Sequence, residues 1–334
     1  MLDQSNVCRQ LFFMNRQLNL RLLTPADLPF ADSLRALVGW NQTIRDWQRF
    51  LALQPDGCFL AEWDGSPAGT ATTICYGTDL AWIGMVLVHP DYRGRGIGTA
   101  LLQHCIDFLR QRQVRCIKLD ATPQGQPLYT SLGFCMEWPL SRWESAAKDA
   151  PGASAPTSAP DAPSEHPLPL GGGEGRGEGV VRSATSSRDH GRVRPLENSD
   201  WEIVTQLDAQ TFGVARLRLL EELAKQSACV LVHESSHGQV TGFGMFRPGS
   251  RAAYLGPVVA VKLSMATELI TTLMNESPSQ NVFWDIPDDN SDAKTLATKL
   301  GFKVQRPLLR MYLGENKFPG DRRLQFAIAD PSLG

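Results

Sequence analysis

Two kinds of apolar spacing alternate along the first part of the chain and predict strands and helices in turn. Residues 18–23, 80–88 and 116–119 have the short apolar pattern of strands. Between the last two segments, apolar residues at 97, 100, 101, 105, 108 and 109 follow the spacing of one helix face. Asp64-Gly65 predicts the turn of a hairpin within 57–77. The first part is therefore predicted to mix strands with helices.

The same order of elements returns after residue 192. The predicted elements are a strand at 193–196, a largely helical segment over 200–225, a hairpin over 230–246, a strand at 254–259, a helix over 262–274, a strand at 282–286 and a helix over 291–300. Each half carries a Gly-Phe pair just after its last helix, at 133–134 and 301–302. The repetition predicts a duplicated domain.

The stretch between the two halves contains almost no large apolar residue. It is dense in Pro, Ala, Ser and Gly, as in ASAPTSAPDAP at 153–163. Such a segment cannot bury enough apolar surface to offset the entropy lost on ordering, so it predicts a flexible linker. The predicted organisation is an N-terminal extension 1–17, a first domain 18–145, a linker 146–192, a second domain 193–314 and a C-terminal tail 315–334.

Composition and charge narrow the classes of function. The 334 residues carry 33 Lys and Arg against 35 Asp and Glu, a formal net charge of −2. This balance gives no overall attraction to nucleic acid or to an anionic membrane, and no apolar run is long enough to cross a bilayer. The seven cysteines include no Cys-x-x-Cys pair, so we expect a cytoplasmic protein. We expect a monomer, in which the duplicated half replaces a dimer partner, with a homodimer as the alternative.

One short segment of the second half matches a zinc motif. His233-Glu234-Ser235-Ser236-His237 has the form His-Glu-x-x-His, which binds metal only when both histidines share one face of a helix. Here the segment ends an apolar strand and precedes Gly238, so it predicts a hairpin turn. We therefore expect no metal.

The most informative stretch is VHPDYRGRGIGTALL at 88–102, where a predicted strand runs into a predicted helix. Its Arg-x-x-Gly-x-Gly pattern begins at Arg93 and places Gly96 and Gly98 at the helix start. Bare N–H groups and the positive end of the helix dipole would form an anion site suited to a diphosphate. A nucleic-acid patch would need more basic and aromatic neighbours. If this stretch were only a structural turn, the entropy that the glycines lose on folding would serve no purpose.

Residues 88–102 resemble the acetyl-CoA motif of the GNAT superfamily of N-acetyltransferases, and the element order of 18–145 fits that fold. The resemblance implies an α/β (α+β) fold of two such domains, each a mixed, mostly antiparallel twisted sheet flanked by helices. It implies acetyl-CoA as cosubstrate, with the backbone of Val86, Leu87 and Val88 on its pantetheine arm. The residues implied for its pyrophosphate are Arg93, Gly94, Arg95, Gly96, Ile97, Gly98 and Thr99.

PLYTSLGF at 127–134 extends the resemblance. Tyr129 stands four residues before Gly133, where GNAT enzymes often place a Tyr near the cofactor sulfur, and this implies a general acid. A packed aromatic is the alternative role. Many of these enzymes carry a Glu base on the fourth strand, but 80–88 has no acid. Asp120, at the end of the next strand, is the candidate base, with a cap or turn role as the alternative.

Several aromatic and polar residues are candidates for contact with the acceptor substrate. Trp40 and Asn41 lie in the helical segment that covers the acceptor site in GNAT folds, and Trp82 lies on the predicted strand 80–88. Tyr254 and Asp285 are candidates from the second half. For each of them a structural position is the alternative.

The second half resembles a degenerate GNAT domain. Its corresponding helix begins VVAVKLSMATELI at 258–270, without Arg-x-x-Gly-x-Gly, and Ala297 stands where Tyr129 stood. We therefore predict an acetyl-CoA-dependent N-acetyltransferase with one working half. It would acetylate a primary amine of a small molecule, or of a protein, by direct attack on the thioester. A non-catalytic regulatory protein that binds CoA or another small ligand is the alternative, and neither nucleic acid nor a membrane is an expected partner.

Overall fold

In the residues that the structure describes, thirteen strands form one continuous sheet. The computed structural model describes residues 18–145, 191–275 and 281–334. The predicted extension 1–17 and the predicted linker up to residue 190 lie outside the described residues. Helices flank the sheet, which is mostly antiparallel, so the implied fold class is confirmed.

The predicted order of elements is confirmed in both halves. The first half contains β1 (Leu18–Leu22), α1 (Leu28–Leu37), α2 (Ile44–Leu53), β2 (Cys58–Trp63), β3 (Ser66–Tyr76), β4 (Leu80–Val88), α3 (Ile97–Gln111), β5 (Cys116–Ala121), α4 (Gln126–Ser131) and β6 (Cys135–Ser145). The second half contains β7 (Arg192–Pro195), α5 (Trp201–Phe212), α6 (Leu217–Gln226), β8 (Cys229–Glu234), β9 (Val240–Arg247), β10 (Ala253–Ala260), α7 (Leu263–Asn275), β11 (Val282–Pro287), α8 (Ser291–Lys299), β12 (Lys303–Gly314) and β13 (Gln325–Ala327).

Short-range signals set several of these boundaries. Asp64 and Gly65 have φ values of 50° and 77°, the left-handed pair that a two-residue turn between β2 and β3 requires. Before α1, the carboxylate of Asp27 accepts a hydrogen bond from the backbone N–H of Thr24 at 2.8 Å and another from its hydroxyl at 2.7 Å. This is a capping arrangement that starts the helix.

The last long strand of each half lies in the sheet of the other half. The strand order is β1-β2-β3-β4-β5-β12-β6-β11-β10-β9-β8-β7, with β13 beside β10. Strand β12 of the second half pairs with β5 of the first, and β6 of the first half pairs with β11 of the second. Strands β12 and β6 also pair with each other. Neither half of the sheet is complete without a strand from the other.

Two buried ion pairs join the exchanged strands to their hosts. Asp120 on β5 faces Arg310 on β12 and accepts two hydrogen bonds from its guanidinium, both 2.8 Å long. Asp285 on β11 and Arg142 on β6 form the same bidentate pair at 2.8 and 2.6 Å. The four side chains are at most 4% exposed. Since loss of one partner would leave an uncompensated buried charge, each pair ties a strand to its host.

The two halves also share a hydrophobic core on one face of the sheet. The helical residues of this core are Leu28, Ala31, Leu34, Trp47, Phe50, Val204, Leu207, Phe212, Leu219, Leu220 and Leu223, from α1, α2, α5 and α6. On the other face, α3 packs on β3 and β4, and α7 packs on β9 and β10, in separate cores. Consecutive residues of β4 show the alternation, since Trp82 joins the shared core and Ile83 joins the core under α3.

Residues 325–334, within the segment predicted as a tail, are built into the structure. Strand β13 pairs antiparallel with β10. The following residues run against β4, where the indole N–H of Trp82 donates to the carbonyl of Pro331 at 3.1 Å. A Cβ at Gly84 would lie 2.5 Å from the carbonyl oxygen of Ser332, so the absence of a side chain at Gly84 makes room for this segment.

Cleavage between the halves should not separate them. We expect a chain cut at a protease site inserted between residues 146 and 190 to elute as one species in native size-exclusion chromatography. The reason is that β6 and β12 would remain paired in each other's sheets. In denaturant the two fragments should elute apart, as a control that the cut is complete. Separate elution in native buffer would contradict the strand exchange.

Candidate active site

Strands β4 and β5 separate partway along their length and open a fork in the sheet. They pair in parallel only over 80–82 and 116–118. Beyond that point the register between β3 and β4 shifts, and Met85 has a φ of 50°, a left-handed conformation that is rare for a residue other than glycine. Such a bulge re-aims the strand and is common beside functional sites.

A cleft of about 800 Å³ extends from this fork to the start of α3. Residues predicted to bind acetyl-CoA form much of its wall: Val86, Leu87, Val88, Arg93, Gly94, Gly96, Ile97, Gly98 and Thr99. Tyr129 and Asp120, the two predicted catalytic residues, line the same cleft. The structure thus brings the predicted cofactor and catalytic residues to one place.

The glycine loop leaves the start of α3 open to an anion. Gly94 and Gly96 have φ values of 74° and 79°, which residues with side chains adopt only with strain. No side chain of the described residues caps the helix, and the first helical bond runs from the N–H of Ala100 to the carbonyl of Gly96. The N–H groups of residues 97–99 therefore have no partner within the helix. This geometry fits the diphosphate of the CoA that the resemblance implies.

The two arginines of the loop have different positions. Arg93 lines the cleft, and its Nε donates to the carbonyl oxygen of Val88 at 3.2 Å. Arg95, although predicted with the same group, lies outside the cleft wall, with its guanidinium 5.3 Å from the ring centroid of Trp63 and 5.4 Å from that of Tyr92. We infer that Arg95 braces the loop from outside through these cation–π contacts.

Tyr129 presents an unpaired hydroxyl to the cleft. In the part of the chain that the structure describes, this hydroxyl has no hydrogen-bond partner. Burial of the ring raises the pKa of Tyr129 to about 12, so the phenol keeps its proton at neutral pH. The ring lies directly over Gly125, where a Cβ would be 2.8 Å from the ring atom Cε2. The ring can approach the backbone this closely because Gly125 has no side chain.

A second, narrower cavity of about 40 Å³ adjoins the cleft. The two cavities share the residues Trp40, Val86, Asp120, Thr122, Tyr129 and Arg306. The remaining wall of the narrow cavity is contributed by Gln42, Ile83, Gly84, Met85, Leu119, Arg142, Leu308, Pro331 and Ser332. This wall comes from both halves and from the segment after β13. The second half therefore takes part in the site of the first half.

The position of Asp120 supports a structural role. Both of its oxygens accept hydrogen bonds from Arg310, and the matching pair of Asp285 and Arg142 recurs in the half that lacks the glycine loop. Burial raises the pKa of Asp120, while Arg310 opposes the shift. Because the same kind of pair occurs in the half that lacks the cofactor motif, the pair of Asp120 and Arg310 serves the strand exchange. The assignment of Asp120 as the base stays a prediction.

The residues predicted to contact the acceptor do not all meet at the site. Trp40 lines both cavities. Asn41 is buried, and its side chain holds the backbone of the other half by accepting from the N–H of Ala252 at 3.0 Å and donating to its carbonyl at 2.9 Å. Trp82 is fully buried, and its ring lies 4.5 Å from the guanidinium of Arg310.

Tyr254 and Asp285 form a buried cluster outside the walls of both cavities. The hydroxyl of Tyr254 donates to Asp285 at 2.9 Å, on the carboxylate that also holds Arg142. Arg142 itself reaches the narrow cavity. Tyr254 and Asp285 therefore lie behind the residues that line the cavities. Of the residues predicted to contact the acceptor, Trp40 is the one that lines the cavities.

The corresponding fork of the second half is filled. Strands β10 and β11 pair in parallel only over 253–255 and 282–284 and then separate, as β4 and β5 do. Strand β13 lies in this gap beside β10, and the indole N–H of Trp284 donates to the carbonyl of Phe326 at 2.7 Å. The half without the glycine loop thus has a strand at the place where the first half keeps its fork open.

The zinc-like segment lies on a hairpin, as predicted. His233 lies next to the last residue of β8, and its Nδ1 lies 2.8 Å from the hydroxyl of Thr241. His237 lies in the turn that follows. Among residues 18–145, 191–275 and 281–334, no group of three or more metal-ligating side chains comes together. No helix within these ranges is long and apolar enough to cross a membrane.

Sequence reasoning missed the residues that the second half contributes. Arg306, Leu308 and Arg310 occupy alternate positions of β12, and they line the cavities or pair with a residue that does. Two arginines on one face of a strand in mid-sheet are an unusual pattern, because such residues are seldom buried without a partner. That pattern was a usable signal, but it could not show which strand would face them.

Two family models match the chain, one in each half. The model described as "Acetyltransferase (GNAT) family" matches residues 28–134. The model described as "Acetyltransferase (GNAT) domain" matches residues 204–327. The second match ends with β13, so it includes the strand that fills the second fork.

Relatives and solved structures are similar to this chain over most of its length. The uncharacterized N-acetyltransferase YitH of Bacillus subtilis is 24% identical over 258 residues, covering 76% of this chain and 77% of the relative. A Pyrococcus horikoshii protein solved as a candidate acetyltransferase has a TM-score of 0.70 at 25% identity, covering 95% of this chain and 96% of its own. A tandem GNAT protein from the clavulanic acid biosynthesis pathway has a TM-score of 0.59 at 15% identity. The match covers 89% of this chain and 98% of that protein, and it shows a likeness of fold.

Replacement of Arg310 tests the ion pair at the exchanged strand. Arg310→Met should lower the free energy of unfolding by about 3–5 kcal/mol, because it leaves Asp120 buried without its partner. Chemical denaturation measures this loss, and the double variant Asp120→Leu, Arg310→Met should recover much of it. Arg323→Met removes a partner from an exposed pair with Asp321 and should leave the midpoint unchanged. Equal stability of Arg310→Met and the unaltered protein would refute the structural role.

Proposed function

Because the chain carries two domains of the GNAT acetyltransferase family, we propose that its first half, completed by the second, transfers an acetyl group from acetyl-CoA to a primary amine. Family membership supports acyl-CoA-dependent N-acetyl transfer in general. The acceptor is proposed to be the amine of a small molecule, since the cavity beside the cleft is narrow. No metal takes part in the proposed reaction.

The observation that carries the proposal is the open fork with an uncapped helix at its mouth. The cleft joins the N–H groups at the start of α3 to the unpaired hydroxyl of Tyr129. A diphosphate on the helix start would direct the rest of acetyl-CoA along Val86, Leu87 and Val88 into the fork. What acetyl-CoA supplies there is an acetyl thioester.

The proposed reaction is direct transfer. The neutral amine nitrogen forms a bond to the acetyl carbon and the carbon–sulfur bond breaks. The CoA sulfur takes up one proton, and the nitrogen gives up one further proton to water as the amide forms. Tyr129 holds a proton at Oη beside the cleft and is proposed to donate it to the departing sulfur. Backbone N–H groups near the bulge of β4 would stabilise the negative charge that develops on the acetyl oxygen.

The amine must lose a proton before it attacks, because a protonated amine has no free electron pair. Asp120 is the carboxylate that lines both cavities. Each of its oxygens keeps a lone pair beyond the bond to Arg310. As the proposed base it would accept the amine proton directly or through water, while Arg310 holds it in place.

Tyr129→Phe tests the general acid. We expect turnover to fall by about 100-fold or more, while the Kd for acetyl-CoA changes by less than about twofold, because only the proton donor is removed. Thiol release with a panel of primary amines measures the rate, and calorimetry measures Kd. An unchanged rate would refute the role of Tyr129. Absence of thiol release by the unaltered protein with every amine, together with tight CoA binding, would favour the alternative of a regulatory binding protein.

Gly125→Ala tests the placement of Tyr129 without removing its hydroxyl. The added methyl would meet the ring at 2.8 Å and push it away. We expect turnover to fall by about 10- to 100-fold, as misplaced catalytic groups do, with the melting temperature maintained. Thr130→Ala changes an exposed residue of α4 directly after Tyr129. It should change neither the turnover nor the melting temperature. Full activity of Gly125→Ala would show that the position of the ring does not matter.

A further inference from the structure

Arg306 of the second half projects into the site of the first half. It lies on β12 where the register with β6 shifts between residues 304 and 306. A bulge of this kind re-aims the following side chain. Arg306 lines both the cleft and the narrow cavity, at the boundary that they share with Tyr129. A cationic group therefore stands where acceptor and thioester would meet.

The guanidinium of Arg306 lacks a partner in the described parts of the chain. Its Nε is buried without a hydrogen bond, and no carboxylate lies within ion-pair distance. The nearby carboxylates are used elsewhere, Asp120 by Arg310 and Asp285 by Arg142. A half-buried guanidinium with an unsatisfied N–H group is costly unless a ligand completes it.

The charges around Arg306 leave an excess of positive charge. The strongest charge effects on Arg306 come from Arg142, Asp285, Asp330 and Arg251. Among these groups, with Arg306 included, the three cations outnumber the two anions. Burial lowers the pKa of Arg306 to about 10, which still leaves it charged at neutral pH. The site is therefore suited to an anionic group.

Gln42 supplies a complementary group on the wall of the narrow cavity. Its Nε2 donates to Asp330 at 3.1 Å, while its Oε1 is buried without a partner. A buried carbonyl oxygen of this kind accepts an N–H donor. The cavity thus offers a donor fork at Arg306 and an acceptor at Gln42. Its volume of about 40 Å³ holds only a few atoms beyond the cleft.

We propose that the acceptor is a small amino-carboxylate, of the amino-acid type, whose carboxylate pairs with Arg306 while its amine lies beside Tyr129. A planar guanidinium binds a carboxylate through two parallel hydrogen bonds, which orient the molecule as well as hold it. The carboxylate would complete the unsatisfied N–H group and balance the excess charge. This assignment of substrate class rests on the acetyl transfer proposed above.

Matched pairs of acceptors test the assignment. Each pair is an amino acid and the amide of the same amino acid, which keeps the amine and removes the negative charge. For the unaltered protein we expect kcat/KM to be about 10- to 100-fold higher for the carboxylate, the range of a charge-assisted hydrogen-bonded pair. Arg306→Gln should abolish that ratio and leave the KM for acetyl-CoA unchanged. Arg306→Lys should restore part of it, because it keeps the charge and loses the fork.

Arg323→Gln is the matched control, because Arg323 is exposed, pairs with Asp321 and lines neither cavity. It should change the carboxylate-to-amide ratio by less than about twofold. Arg306→Gln should fold at least as well as the unaltered protein, since it removes an unpaired buried group. Its melting temperature checks this point.

The outcomes separate this inference from the proposed function. Equal kcat/KM for carboxylate and amide, or a ratio that survives Arg306→Gln, would overturn the inference while acetyl transfer stands. A rise only in the KM for acetyl-CoA would assign Arg306 to that ligand and would also overturn it. If no amine is acetylated, the proposed function fails. Thermal stabilisation by the amino acids, present in the unaltered protein and lost in Arg306→Gln, would then still support the carboxylate site, and its absence would refute it.

Discussion

The paired carboxylates and guanidiniums on the exchanged strands are the constraint on which the rest of the structure depends. Asp120 with Arg310, and Asp285 with Arg142, are buried bidentate pairs, each formed between a host strand and a strand from the other half. A buried carboxylate without such a partner would be strongly destabilising. Each half therefore requires an arginine-bearing strand opposite its carboxylate. In the structure the other half supplies that strand, and the two domains form one sheet.

This exchange explains how a half without the cofactor motif can serve the other half. Each half contains a fork between two parallel strands. The first fork remains open and leads to the glycine loop, whereas β13 lies in the second. Because β12 crosses into the first half, the second half places Arg306 in the wall of the two cavities that Tyr129 also lines. The duplicated domain has thus become the wall of its neighbour's site.

Local features of the fold could be predicted from the sequence, and long-range features could not. The turn at Asp64-Gly65 and the loop at 93–99 depend on φ preferences and helix ends, which neighbouring residues determine. The exchange of β6 and β12 was unpredictable because two similar strands suit either sheet equally well. The orientation of Arg306 depends on a bulge against β6, and the role of 325–334 depends on a gap that exists only after the halves meet.

A crystal structure of the full chain with bound CoA tests the central claim most directly, namely that one site is built by both halves. The account predicts one CoA per chain, with its pyrophosphate within about 3.2 Å of the N–H groups of residues 97–99. Its sulfur should lie between Tyr129 of the first half and Arg306 of the second. A CoA bound at the fork of β10 and β11, or a thiol end far from both side chains, would contradict the account.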